Sequence, residues 1–155
     1  MTWRPSPSNE PIAAPIEDVF EWLSNAHNYT RSKFVLRERL AEPGADAPYG
    51  LGALRVLLWT VGIFYERITA YDPPRSFDYH VERSFPPSRH EAGRKSFTKV
   101  AGGTHVTWTS TFEIRLPLVG AFLTRVVGVP IIRRVFGRVL DAAQADLTGA
   151  RIQPH

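Results

Sequence analysis

The stretch YERITAYDPPRSFDYHV at 65–81 contains the carboxyl group that is best placed for chemistry. Its DPP sequence predicts a tight turn between two strands, one through Ile68 and one through Tyr79. If Ile68 faces the core, the two-residue period of a strand puts Phe64 and Glu66 on the same face. Glu66 would then lie in an apolar interior, where it is a candidate polar anchor for a ligand or a general acid or base.

Two structural alternatives remain open for Glu66. It either forms an ion pair with an arginine such as Arg94 or Arg133, or a strand bulge turns it towards solvent. Arg133 has two interpretations of its own, because it lies at the edge of the apolar stripe of the last predicted helix. It either binds an acidic ligand group through a bidentate contact or extends along the stripe to water.

Several aromatic side chains and one hydroxyl are predicted to share the enclosed face with Glu66. An aromatic-rich pocket with few polar groups suits a small molecule that is flat or strongly hydrophobic. Plain core packing is the alternative for each single member. The predicted ligand-binding set is Trp59, Phe64, Glu66, Tyr79, Trp108, Ser110, Phe112 and Arg133.

Other kinds of site find little support in the sequence. The five histidines have no metal-binding spacing such as HxxxH, and the chain has no cysteine. We therefore expect no metal, no cofactor and no disulfide. The GLG at 50–52 lacks the remaining glycine of a dinucleotide fingerprint, and Ser110 lacks the elbow of a nucleophilic triad. The catalytic constellation is incomplete, which leaves open whether the protein is an enzyme.

The composition is that of one globular domain. The 155 residues are 43% hydrophobic and 22% charged, with a net charge of +4. The basic residues are dispersed among acidic and apolar ones, so we expect no nucleic-acid partner. The absence of cysteine and of a secretory signal favours a cytoplasmic protein.

The periodicity of the apolar residues predicts the order of the elements. Residues 1–10 are expected to be a flexible lead-in, and 11–151 a single domain. A short strand ending at Ala14 precedes a helix that opens at Pro15. From about Phe34 to Ile114 the period is two, which indicates an antiparallel meander with one buried face. The pattern then returns to the helical period for about 30 residues.

In the predicted helices, the apolar residues form stripes. The first stripe consists of Ile16, Val19, Phe20 and Leu23. The second consists of Ile132, Val135, Phe136, Val139, Leu140, Ala143 and Leu147, with Arg134, Arg138, Asp141 and Ala145 on the opposite face.

In the apolar segment LPLVGAFLTRVVGVPIIRRVF at 116–136, the part from Leu116 to Ile132 falls short of the about 20 apolar residues of a membrane span and contains Arg125 and Pro130. Its Pro130 is expected to kink or break the helix. A sheet with one large apolar face needs a cover, so we interpret the segment as a core helix. An interfacial helix on an anionic membrane, or a dimer face, is the alternative for 118–132.

At residue level the chain resembles the START-like (SRPBCC) superfamily of polyketide cyclases/dehydrases and lipid-transport proteins. The resemblance is carried by IAAPIEDVFEWLSNAHNY at 12–29, GLGALRVL at 50–57, YERITAYDPPRSFDYHV at 65–81, GGTHVTWTSTFEI at 102–114 and the arginine-studded last helix. It implies the α+β helix-grip fold (START/Bet v 1-like), in which a curved antiparallel sheet grips a long C-terminal helix. It also implies an internal cavity, which relatives use for lipids, sterols, polyketides or plant hormones.

The first hypothesis for function is binding or transport of a hydrophobic small molecule, such as a lipid or polyketide, by a monomer or homodimer. One alternative is a polyketide cyclase/dehydratase-type enzyme with Glu66 as general acid/base. The other is a membrane-surface or protein-interaction module, which is less favoured.

Overall fold

The computed structural model describes residues 2–3, 11–60, 62–85, 87–114 and 129–152. For residues 2–3, 88–90, 112–114, 129–133 and 149–152 the description covers the backbone alone. The helices are α1 (Ile16–Ser24), a 3-10 helix (Ala26–Arg31) and α2 (Val129–Ile152). The strands are β1 (Thr2–Trp3), β2 (Val35–Glu42), β3 (Leu54–Trp59), β4 (Gly62–Asp72), β5 (Ser76–Phe85), β6 (Ser88–Val100) and β7 (Gly103–Ile114).

The seven strands form one antiparallel sheet in the order β1-β7-β6-β5-β4-β3-β2. From β2 to β7 each strand pairs with the next along the chain, as expected for a meander. The predicted helix-grip architecture is therefore confirmed. The prediction of a flexible lead-in did not anticipate β1, in which Thr2 lies opposite Thr111 and Trp3 opposite Ser110. Residues 4–10 lie outside the described part of the chain.

The predicted stripe of α1 is confirmed, since Ile16, Val19, Phe20 and Leu23 are all buried. The helix begins one residue later than predicted. Pro15 is its N-cap, with ψ at 149°, and the Pro15 carbonyl accepts hydrogen bonds from the amides of residues 18 and 19. The short strand predicted before it is a single bridge between Ile12 and Thr104.

The register of the β3–β4 hairpin determines which inner-face residues become neighbours. Trp59 pairs with Gly62 next to the turn, and four residues further from the turn on each strand Arg55 lies opposite Glu66. A bulge does occur nearby, but in β5: Tyr65 pairs with Arg83 and Glu66 with Val81. The extra residue belongs to the neighbouring strand, and Glu66 stays buried. A bulge that turns Glu66 to solvent is therefore ruled out.

Helix α2 covers the sheet with the predicted stripe. Val135, Phe136, Val139 and Ala143 are buried, and Leu140 and Leu147 pack half-buried against the same core. Arg134, Arg138, Asp141 and Ala145 are exposed, as expected. The Ile132 side chain, the predicted helix before residue 129 and most of the segment proposed as an interfacial helix lie outside the described residues. Of the helices that are described, none is long and apolar enough to cross a membrane.

Polar contacts fix the C-terminal half of α2 to the start of the domain. The Trp22 indole Nε1 donates to Asp146 Oδ2 at 3.0 Å, and Arg31 Nε lies 3.4 Å from the same oxygen. The Ala13 amide donates to Gln144 Oε1 at 3.2 Å. These contacts hold the helix over the inner face of the sheet.

Candidate functional site

A buried ion pair between β3 and β4 lies on the inner face of the sheet. Arg55 Nε and Nη2 both donate to Glu66 Oε1, at 3.2 and 3.0 Å. Arg55 is fully buried and Glu66 is 6% exposed. Glu66 therefore has an arginine partner, as one alternative predicted, but the partner is Arg55. Arg94 instead pairs with Asp78 at 2.7 Å, with most of its side chain exposed.

The surroundings of Arg55 keep its guanidinium charged. Burial opposes the charge, but neighbouring groups, including the Glu66 carboxylate, outweigh it and raise the Arg55 pKa. Its Cζ lies 5.6 Å from the ring centroids of both Tyr29 and Phe77. Nη1 donates to the Ser24 carbonyl at the end of α1, at 3.3 Å. The ion pair thus connects the sheet to the first helix.

A second base, Lys95 of β6, is completely buried beside this pair. Its cross-strand neighbours are Phe77 and Trp108, and Nζ lies 3.7 Å from the Trp108 ring centroid. Nζ has no hydrogen-bond partner among the described residues. Burial lowers the pKa of Lys95 well below its usual value; the nearby Arg55 charge lowers it further, and Glu66 acts in the opposite direction.

The Tyr79 hydroxyl is a neutral polar group in the same region. The Trp108 indole Nε1 donates to Tyr79 Oη at 3.2 Å. Burial raises the Tyr79 pKa well above its usual value, and hydrogen bonds with Trp108 and Ser110 offset only part of that rise. The ring lies over Gly93, where an added β carbon would come within 2.4 Å of it. Glycine is therefore required for this position of the ring.

Aromatic rings connect the polar groups to α2. The Trp108 and Phe136 rings are stacked, with centroids 3.7 Å apart. The ring centroids of Trp59 and Phe136 are 6.1 Å apart, and those of Tyr29 and Trp108 are 6.2 Å apart. The polar groups of the inner face are thus enclosed by aromatic side chains from the sheet, the 3-10 helix and α2.

The structure brings most of the predicted set together. Trp59, Glu66, Tyr79, Trp108 and Ser110 are all buried, and Phe64 packs half-buried against the same core. The side chains of Phe112 and Arg133 lie outside the described residues. Whether any of these residues binds a ligand stays a prediction.

Sequence reasoning missed the two buried bases, Arg55 and Lys95. Each stands two residues before an apolar residue that faces inward, Leu57 and Phe97 respectively. The two-residue period therefore contained the signal.

The histidines give no indication of a metal site. His80 is exposed and His105 half-buried. Within the described ranges, no group of three or more histidine, aspartate or glutamate side chains could hold a metal ion.

Comparison with known proteins identifies the family. A family model described as polyketide cyclase / dehydrase and lipid transport matches residues 8–148. The chain therefore belongs to this family, which confirms the resemblance found in its sequence. No match was found among curated proteins.

Solved structures share the fold at low sequence identity. A protein of Thermus thermophilus superposes with a TM-score of 0.74 and 15% identity, covering 97% of this chain and 96% of that chain. A START superfamily protein from Mycobacterium smegmatis superposes with a TM-score of 0.70 and 12% identity, covering 97% of this chain and 96% of that chain. The di-domain ARO/CYC StfQ from the steffimycin biosynthetic pathway superposes with a TM-score of 0.61 and 15% identity, covering 94% of this chain and 45% of that chain.

Proposed function

We propose that the protein binds or carries a hydrophobic small molecule, such as a lipid or polyketide, between the inner face of the sheet and α2. The observation that carries this proposal is the group of buried polar side chains, Arg55, Glu66 and Lys95, among aromatic rings. Stability alone does not account for them, because apolar residues in place of a buried ion pair are often neutral or stabilising. A few polar groups in an apolar site are typical of ligand pockets, where they orient the ligand. The family description, which includes lipid transport, supports the same function.

The direct test is mass spectrometry of what co-purifies with the protein. Native spectra are compared with spectra of an organic extract of the same sample. We expect a stoichiometric amphipathic or polycyclic molecule that is lost on extraction. A protein that is purified empty and also fails to take up fluorescent lipids contradicts the proposal.

A matched pair of variants locates the bound molecule. Ser110 is buried on the inner face of β7, and Thr109, the preceding residue, has the opposite parity. Ser110→Leu adds volume on the ligand side, so we expect it to reduce the amount of co-purifying molecule. Thr109→Leu should retain it. Equal retention by the two variants, with both shown to be folded by circular dichroism, places the molecule elsewhere.

The second candidate is a polyketide cyclase/dehydratase-type enzyme with Glu66 as general acid/base. The fixed position of a buried carboxylate favours it, because Arg55 holds Oε1 through two hydrogen bonds. A structural relative is named an ARO/CYC of a biosynthetic pathway. The test is turnover of a linear poly-β-ketone thioester by the wild type and by Glu66→Gln, which keeps an oxygen for Arg55. Loss of proton transfer should lower the rate roughly 100-fold or more while binding persists. Unchanged turnover excludes Glu66 from catalysis.

A further inference from the structure

The described inner face of the sheet holds acidic and basic side chains that are not all paired with one another. Arg55 and Lys95 are fully buried bases. The acids on this face are Glu66 and Glu38, which lies opposite Leu57 of β3; the Glu38 side chain is 2% exposed, and its carboxylate accepts a hydrogen bond from Tyr49 Oη at 2.8 Å. The Glu66 carboxylate is already bound by Arg55. Fully buried lysines are rare unless they are paired. The unmatched group is therefore Lys95.

The groups that face Lys95 do not supply a negative charge to match it. Arg55 from β3 and Glu66 from β4 form an ion pair with each other, so their charges are balanced. Tyr79 from β5 and Tyr29 from the 3-10 helix are held neutral, because burial raises the pKa of both hydroxyls. The Tyr29 hydroxyl donates to the Leu23 carbonyl. The charged side chains described on α2 point away from the core: Arg134, Arg138 and Asp141 are exposed, and Asp146 bonds with Trp22 and Arg31.

We propose that the ligand is a hydrophobic carboxylic acid, and that Lys95 Nζ is the counter-ion and hydrogen-bond donor for its carboxylate. This inference rests on the proposed function and specifies the ligand class. A protonated lysine has three N–H donors and no acceptor, so a carboxylate oxygen is a suitable partner. The aromatic rings around Nζ, those of Trp108, Tyr79 and Phe77 at 3.7 to 4.9 Å, would contact the apolar body next to the acid group.

A cleft on the protein surface also favours negatively charged ligands. It lies between the end of the 3-10 helix and α2, and Phe34 in it packs against the core. Its charged lining consists of Arg31, Lys33, Arg134 and Arg138, with Asp141 as the one acid. Basic side chains around a cleft raise the local concentration of anions.

The first test compares acids with their neutral amides of the same shape. Isothermal titration calorimetry measures 2-naphthoic acid against 2-naphthamide and decanoic acid against decanamide. We expect the wild type to prefer each acid about 10- to 100-fold, the range of a charge-assisted hydrogen bond. Lys95→Met should abolish this preference and still bind the amides. Lys99→Met is the control, since Lys99 lies on the same strand and is exposed.

The second test needs no variant. Because burial and Arg55 favour the neutral amine in the empty protein, an anionic acid that binds at neutral pH should draw a proton from the buffer onto Lys95. Titrations in phosphate and in Tris should therefore differ in apparent enthalpy for the acids and agree for the amides. Equal affinities for acid and amide, or no proton uptake, overturns the inference and leaves the proposed function standing. Failure of all four probes to bind the wild type contradicts both.

Discussion

Removal of Arg55 should destabilise the fold more than the loss of a surface charge does. Arg55→Met leaves the Glu66 carboxylate buried without its partner, which costs about 3–5 kcal/mol. The Ser24 carbonyl also loses its donor, which adds about 1 kcal/mol. The total, about 4–6 kcal/mol, is a large part of the stability of a domain, which is typically about 5–15 kcal/mol. The structure therefore predicts a variant that is barely folded.

The double variant Arg55→Met/Glu66→Leu should recover most of that loss. It replaces both partners by apolar side chains, so that no buried charge is left uncompensated, and it should lie within about 2 kcal/mol of the wild type. Urea unfolding of all four members of the cycle, followed by tryptophan fluorescence, measures the coupling between the two residues. The pair Arg94–Asp78 is the control, and because Arg94 is exposed its coupling should stay below about 1 kcal/mol. A double variant no more stable than Arg55→Met would refute the reasoning.

Three further substitutions test the inner face and α2. Lys95→Met should stabilise the fold by about 1–3 kcal/mol, because it removes an unpartnered buried amine. Burial and the Arg55 charge lower the pKa of Lys95 in the folded protein, so the stability of the wild type should rise as the pH rises towards 10.5, the pKa of a free lysine. The stability difference between Lys95→Met and the wild type should shrink over the same pH range. Urea unfolding midpoints at several pH values measure this difference. Gly93→Ala should cost about 1–3 kcal/mol and lower the melting temperature, because its β carbon would lie 2.4 Å from the Tyr79 ring; an unchanged melt would show that the ring moves freely. Gly137→Ala, in the interior of α2 with open space around the new β carbon, should instead raise the melting temperature by stabilising the helix about 0.5–1 kcal/mol.

The elements of the fold could be predicted from the sequence because each leaves a strong local pattern. The alternation of HVTWTSTFEI at 105–114 and the stripe from Val135 to Ala143 are set by which residues must avoid water. The bulge in β5 was not predicted, since it depends on pairing between strands. Strand β1 was missed because residues 2–3 are too few to show a period.

In the candidate site, the position of Glu66 was predicted from the sequence, but its partner Arg55 and the buried Lys95 were not. Glu66 was placed correctly by parity with Ile68, which is also buried. Its partner could have been found from the hairpin turn, because two residues between Trp59 and Gly62 align Arg55 with Glu66. Lys95 could have been placed on the inner face by its parity with the buried Phe97. Its lack of a polar partner among the described residues was harder to predict, since it depends on the rings that β5, β7 and the 3-10 helix place around the amine. Those contacts are set by tertiary packing, which the local pattern does not encode.

The hydrogen bond from Arg55 to the Ser24 carbonyl has a consequence for cooperativity. The last three carbonyls of α1 each accept from a side chain beyond the helix: Asn28 reaches residue 22, Tyr29 residue 23 and Arg55 residue 24. Helix α1 has no basic residue in its last turn, so a strand of the sheet provides the cation that the negative end of its dipole favours. The end of α1 is therefore completed only when the β3–β4 hairpin is in place. Helix and hairpin should consequently unfold as one unit, with matching hydrogen-exchange protection in both.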